Sequence, residues 1–146
     1  MPPYRVKVRR CRPLQQTFLA SRVEELERLG VVEQNTNSRW ASVPHSVPRS
    51  KAEADRLTVD LRQVHQRTEP TVWPMKNLES SSPQLAASTC YASAGFSKCY
   101  WQLALDEASQ VCQSFVAPGG LYPPHRVLHG QVSATACAQA AVRIMF

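Results

Sequence analysis

One helical stripe, followed only by short segments, restricts how this chain can fold. Between Leu14 and Leu29, Phe18, Leu19, Arg22, Val23, Leu26 and Leu29 recur three and four residues apart, with Glu24, Glu25, Glu27 and Arg28 opposite. That spacing gathers the apolar groups on one face of an α-helix. Gly30 suits the left-handed residue that closes a helix. The stripe reads as core packing, with a partner-binding face as the alternative. Gln34–Ser38 reads as a turn, and Trp40–Val47 is extended, with Pro44 restricting any strand there to an edge. Leu57, Val59 and Leu61 alternate on one face of a second strand, and the polar Arg49–Arg56 stretch between the two predicts a hairpin with a basic tip. Residues 66–95 carry little regular signal, because Pro70, Pro74 and Pro83 punctuate them, and Glu79–Ser82 reads as loop or weak helix. Tyr100–Leu105 and Cys112–Ala117 read as strands, Pro118-Gly119-Gly120 as a turn, and Val132–Met145, free of Gly and Pro, as a helix. The class is α+β, without a βαβ rhythm.

The 146 residues suit one modest domain or part of a larger one, and 43% hydrophobic content is enough for a core. No apolar run approaches the roughly 20 residues that span a bilayer. The start, Met-Pro-Pro-Tyr-Arg-Val-Lys-Val-Arg-Arg, lacks the apolar region of a secretory signal, so the expected location is intracellular, cytoplasmic or nuclear. Five cysteines, an odd number with no C-x-x-C spacing, fit free thiols rather than a zinc site. His125 and His129 stand four apart, but the prolines before them and Gly130 after them predict a loop or strand end, so no metal is expected there.

The formal charge of +6 is unevenly spread. Arg5, Lys7, Arg9, Arg10 and Arg12 crowd the first thirteen residues with no acid among them. Such a cluster can neutralise a phosphate backbone and release its counterions. It can equally be a solvated tail, since like charges repel and Pro2, Pro3 and Pro13 forbid a continuous helix.

Several segments, taken in order, resemble a known family. These are Leu29-Gly30-Val31-Val32-Glu33, Ser38-Arg39-Trp40-Ala41-Ser42, Val47-Pro48-Arg49 and Val59-Asp60-Leu61-Arg62, with Thr68 following. They are similar to the fingers of reverse transcriptases from the Pol polyproteins of gypsy-type LTR retrotransposons. Phe96-Ser97-Lys98, Tyr100-Trp101-Gln102-Leu103 and Phe115–Tyr122 resemble the start of the palm. Val127–Ala134 resembles an eroded V-M-P-F-G-L-x-N-A-P, with Gln139 at the Gln of F-Q. The resemblance covers nearly the whole chain. It implies a truncated fingers and palm of a right-hand polymerase: a basic arm over 1–13, a fingers-like segment over 14–68, a connection over 69–95 and a palm-like segment over 96–146.

The departures bear on activity. The family writes F-S-x-L-D-L-x-x-G-Y-W-Q, and its Asp is the first catalytic carboxylate. Here Phe96-Ser97-Lys98 passes through Cys99 directly to Tyr100-Trp101-Gln102, so about five residues including that Asp are absent. The family's Y-x-D-D pair lies farther downstream than Phe146. Two-metal phosphoryl transfer needs carboxylates that hold two Mg²⁺ about 3.5–4 Å apart. Asp106 and Glu107, on a strand, point to opposite faces, and Asp60 is better suited to orienting neighbouring cations. The resemblance therefore implies a reverse-transcriptase fragment that is catalytically inactive as the chain stands, with no catalytic residue, no metal ligand and no cofactor of its own, although the family uses Mg²⁺.

Binding equipment is what the family leaves. Basic residues of its fingers hairpin contact the nucleotide triphosphate, and Arg49, Lys51 and Arg56 match that neighbourhood as a vestigial nucleotide site. The family's D-G turn is replaced by Ala52-Glu53-Ala54-Asp55, which brings two acids to the tip, so a solvated tip is the alternative. The expected partner is DNA or RNA, bound weakly and without sequence preference through the arm. No membrane and no small-molecule substrate are expected. A non-catalytic nucleic-acid-binding module derived from a retroelement is the alternative function. Without the lost strands, Trp101–Leu103 and Ser114–Val116 should have open edges and an uncovered apolar face, leaving the fingers the better ordered part.

Overall fold

The computed structural model describes residues 2–6, 12–35, 37–47, 55–74, 79, 83, 86 and 88–145. Helix α1 spans Pro13–Arg28. Pro13 occupies its first turn, where a missing N–H costs nothing, and Gln15 Oε1 accepts the Arg12 N–H at 3.4 Å. The C-terminus closes as the glycine predicts. Gly30 has φ +64°, its N–H donates to Glu27 O at 2.9 Å, and the Val31 N–H donates to Leu26 O at 2.9 Å. This pair of bonds is a Schellman closure. Leu19, Val23 and Leu26 are buried, whereas Leu29 is 51% exposed, because the chain leaves the helix at that residue and turns it off the stripe.

Strands β1 (Val43–Val47) and β2 (Arg56–Asp60) form the expected hairpin, pairing antiparallel from Val43 with Asp60 to Val47 with Arg56. Pro44 is tolerated because β1 has a single ladder partner. Leu57, Val59 and Leu61 are all buried. A short helix α2 (Arg62–His65) follows and buries Val64. A second hairpin joins β3 (Phe115–Ala117) to β4 (Gly120–Tyr122). Its turn requires glycine: Gly119 has φ +106°, and a Cβ there would meet the Tyr122 hydroxyl at 2.7 Å.

The two hairpins are stitched together at Ser42, whose N–H donates to Ser114 O at 2.9 Å and whose carbonyl accepts from Val116 N at 3.0 Å. Tyr4–Val6 lie along the same sheet, through Ala41 N to Tyr4 O at 2.8 Å and Val6 N to Ala41 O at 3.0 Å. One core results, in which Leu19, Val23 and Leu26 of α1 meet Leu57 and Val59 of β2, with Phe115 and Tyr122 of the second hairpin.

Three sequence expectations are corrected. Tyr100–Leu105 is not a strand: Cys99–Gln102 form a 3₁₀ turn. A strand needs a paired neighbour, and among the described residues of that segment only Ala104 has a bridge, to Arg126, while Trp101 N and Leu103 N close local turns onto Lys98 O and Tyr100 O. Cys112 ends helix α3 (Glu107–Cys112) instead of opening a strand. The signal was Asp106, an N-cap whose carboxylate accepts the Ser109 N–H at 3.1 Å; Asp106 and Glu107 therefore belong to a helix start and not to two faces of a strand. The apolar face of the Ser114–Val116 strand is covered, since Phe115 is fully buried against the core shared with α1. The last helix, α4 (Ala134–Met145), agrees with its sequence signal and leaves Ile144 86% exposed. No helix among the described residues is long and apolar enough to cross a membrane.

Candidate nucleic-acid interface

A cleft of about 380 Å³ lies where α1, β2 and the segment around the 3₁₀ turn converge. Helical spacing brings Arg22 to it from the half-buried edge of the α1 stripe. Arg56 enters from the first residue of β2, and Lys98 stands beside the turn. The remaining wall is largely aromatic: Phe96, Tyr100, Trp101 and His129. Tyr100 meets His129 edge-on at 5.3 Å between ring centroids, and the Tyr100 hydroxyl shares a 3.2 Å hydrogen bond with Thr135 of α4. Lys98 Nζ lies 5.4 Å from the centre of the Trp101 ring, a cation–π distance.

The electrostatics of the cleft favour an anion. Among the described residues, its walls contain three permanent cations and no carboxylate. Glu25, one turn further along α1, pairs with Arg22. The hydrogen bond from Arg22, helped by the charges of Arg22 and Lys98, holds the Glu25 carboxyl below its usual range. Arg22 Nε and Trp101 Nε1 are buried donors with no acceptor among the described residues. Unmet donors of this kind are costly unless something supplies oxygens. The described walls offer Mg²⁺ no carboxylate, so they do not fit the two-metal arrangement of a polymerase.

Lys98 precedes the 3₁₀ turn at Cys99–Gln102. It is the one non-glycine residue with positive φ (+49°) among those described. The left-handed region costs an L-residue about 1–2 kcal/mol, and here it reverses the chain so that Tyr100 and Trp101 follow immediately.

Asp60 is committed elsewhere. Arg62 grips Asp60 bidentately, with Nε at 2.9 Å and Nη2 at 2.7 Å, and the Arg62 N–H adds a third bond at 3.2 Å. This agrees with the orienting role expected of Asp60. The Arg62 hydrogen bond holds its carboxyl at about 2, down from 3.8. Because the folded-state value is depressed, the stabilisation is complete above pH 3.8 and disappears as pH falls toward 2. With Arg62 81% exposed, solvent screening leaves a contribution of about 1 kcal/mol. Urea unfolding at pH 5 should therefore find Asp60→Asn less stable by that amount, with the difference closing near pH 2. A gap that persists at pH 2 would assign the loss to packing instead.

The other residues singled out from sequence are dispersed. Arg5 donates from Nη2 to Ser38 O at 3.1 Å while its backbone pairs with Ala41, so the arm is docked at this point. Arg12 is the N-cap of α1. Lys7, Arg9, Arg10, Arg49 and Lys51 lie outside the described residues. Among the described members of the expected phosphate-binding set, Arg56 lines the cleft. Arg22, Phe96, Lys98 and His129 were not foreseen there; the usable signal was Arg22, a cation within an otherwise apolar stripe. His125, which follows β4, bonds through Nδ1 to Gln110 Oε1 at 2.9 Å, and its Nε2 lies 3.4 Å from Glu33. Cys90, Cys99, Cys112 and Cys137 are free thiols. Compared with known proteins, the chain matches no family model and no curated protein.

Proposed function

We propose that this chain derives from the fingers and early palm of a retrotransposon reverse transcriptase and has lost polymerase chemistry. What it keeps is the capacity to hold nucleic acid. The motifs from Leu29 to Gln139 support the origin, since they follow the family's order. The observation that carries the functional reading is the cleft: Arg56, Lys98 and Arg22 converge with aromatic side chains, and no carboxylate lines it among the described residues. Cations of this kind neutralise phosphate, and interleaved rings accept bases. Chemistry is absent on this reading because the segment between Lys98 and Tyr100 lacks the Leu-Asp-Leu that would bring the first metal-binding carboxylate.

The cleft also favours the second reading, a non-catalytic nucleic-acid-binding module derived from a retroelement, because binding there requires no restored residue. Both readings expect no primer extension with Mg²⁺ or Mn²⁺ on a primed template. Incorporation above a no-enzyme control, abolished by a substitution in this chain, would overturn the loss of chemistry. Weak binding to DNA and RNA of unrelated sequence is expected in the same preparation, and its absence would remove the module reading.

A further inference from the structure

We propose that the cleft takes one unpaired nucleotide of a single strand, its base against Phe96 and Tyr100 and its phosphate on Arg56 and Lys98. This rests on the cleft being a nucleic-acid site. The argument for an unpaired base is one of shape and chemistry. A volume of about 380 Å³ falls within the range, about 300–1,000 Å³, of pockets that enclose one small molecule. A duplex keeps its base faces stacked inside, so it offers such a cleft phosphates and groove edges but no free base face. The cations alone would serve either form, but the rings serve only an extruded or unpaired base, whose face stacks on an aromatic side chain whatever its sequence.

Phe96 is 43% exposed at the rim of the cleft. Lys98 Nζ is held over Trp101 next to it, which keeps a cation within reach of a phosphate attached to a base at that rim.

The test is fluorescence anisotropy with three labelled oligonucleotides of equal length: oligo(dT), an abasic strand with the same phosphates, and a blunt duplex. The full chain should bind oligo(dT) at least about fivefold more tightly than the abasic strand, the lower end of the stacking energies of bases on aromatic side chains. Phe96→Ala should narrow the gap between oligo(dT) and the abasic strand, with Tyr100 left as the remaining stacking face. The comparison of strands needs no variant, so a folding defect in Phe96→Ala cannot mask the result. Equal affinity for oligo(dT) and the abasic strand overturns base capture but leaves nucleic-acid binding intact. Failure of all three to bind overturns the underlying reading as well.

Discussion

Phe115→Ala is expected to cost about 3–5 kcal/mol, the range for removing a buried aromatic ring, and to loosen both ends of the chain together. Phe115 has no exposed surface and stacks on Tyr122 with ring centroids 6.0 Å apart. Its strand is also fastened to Ser42, which precedes β1, by two backbone hydrogen bonds. Removing the ring opens a cavity between α1, β2 and the second hairpin, all of which contribute to the same core. A domain of ordinary stability has about 5–15 kcal/mol in total, so a loss of this size takes much of it. Hydrogen exchange provides the measurement, since protection reports local opening free energy. In Phe115→Ala, protection should fall at Leu57 and Val59 as well as at Val116 and Leu121. Protection kept over 56–60 while 115–122 exchanges freely would mean that the first hairpin and α1 stand alone.

What the sequence made legible divides along physical lines. Helix α1 and its Schellman closure were readable because the stripe and Gly30 are local signals that tertiary packing reinforced. The β1–β2 hairpin was readable for the same reason: Leu57, Val59 and Leu61 alternate, and burying them fixes the register. Tyr100–Leu105 misled because aromatic residues favour strands only when a neighbouring strand pairs with them, and the backbone there turns on itself instead. Helix α3 was missed although Asp106 announces it, since Asp106 and Glu107 were placed on a strand and not at a helix cap and first turn. The cleft was the least legible feature. Arg56 could be placed from the hairpin, but Arg22, Lys98 and His129 come from segments 22, 98 and 129 residues into the chain, and no periodicity relates them. The aromatic cluster of Phe96, Tyr100 and Trp101 was visible as composition, yet only the left-handed turn at Lys98 folds it onto β2.

Raising salt from 50 to 200 mM is expected to weaken binding to a single strand about 50-fold and to a duplex about 150-fold if four cations contact phosphates, from log–log slopes of about −2.8 and −3.6. The arm and the cleft compete as the source of those four contacts. Arg5 already donates to Ser38 O, and Tyr4–Val6 pair with Ala41, so deleting residues 1–13 would remove part of the sheet along with the charge. Neutralising Lys7, Arg9, Arg10 and Arg12 to Gln is the cleaner change, because it leaves the Tyr4–Val6 pairing in place. If the arm supplies the contacts, the slope should collapse toward zero in this variant. Should the cleft contribute Arg56 and Lys98, a residual slope of about −1.4 persists on single strands, and adding Arg56→Gln should halve it. A slope unchanged by the four arm substitutions would sink the arm as a phosphate-binding element. Those four side chains would then carry no phosphate contact, and affinity would have to arise from Arg56 and Lys98, since Arg22 is already paired with Glu25.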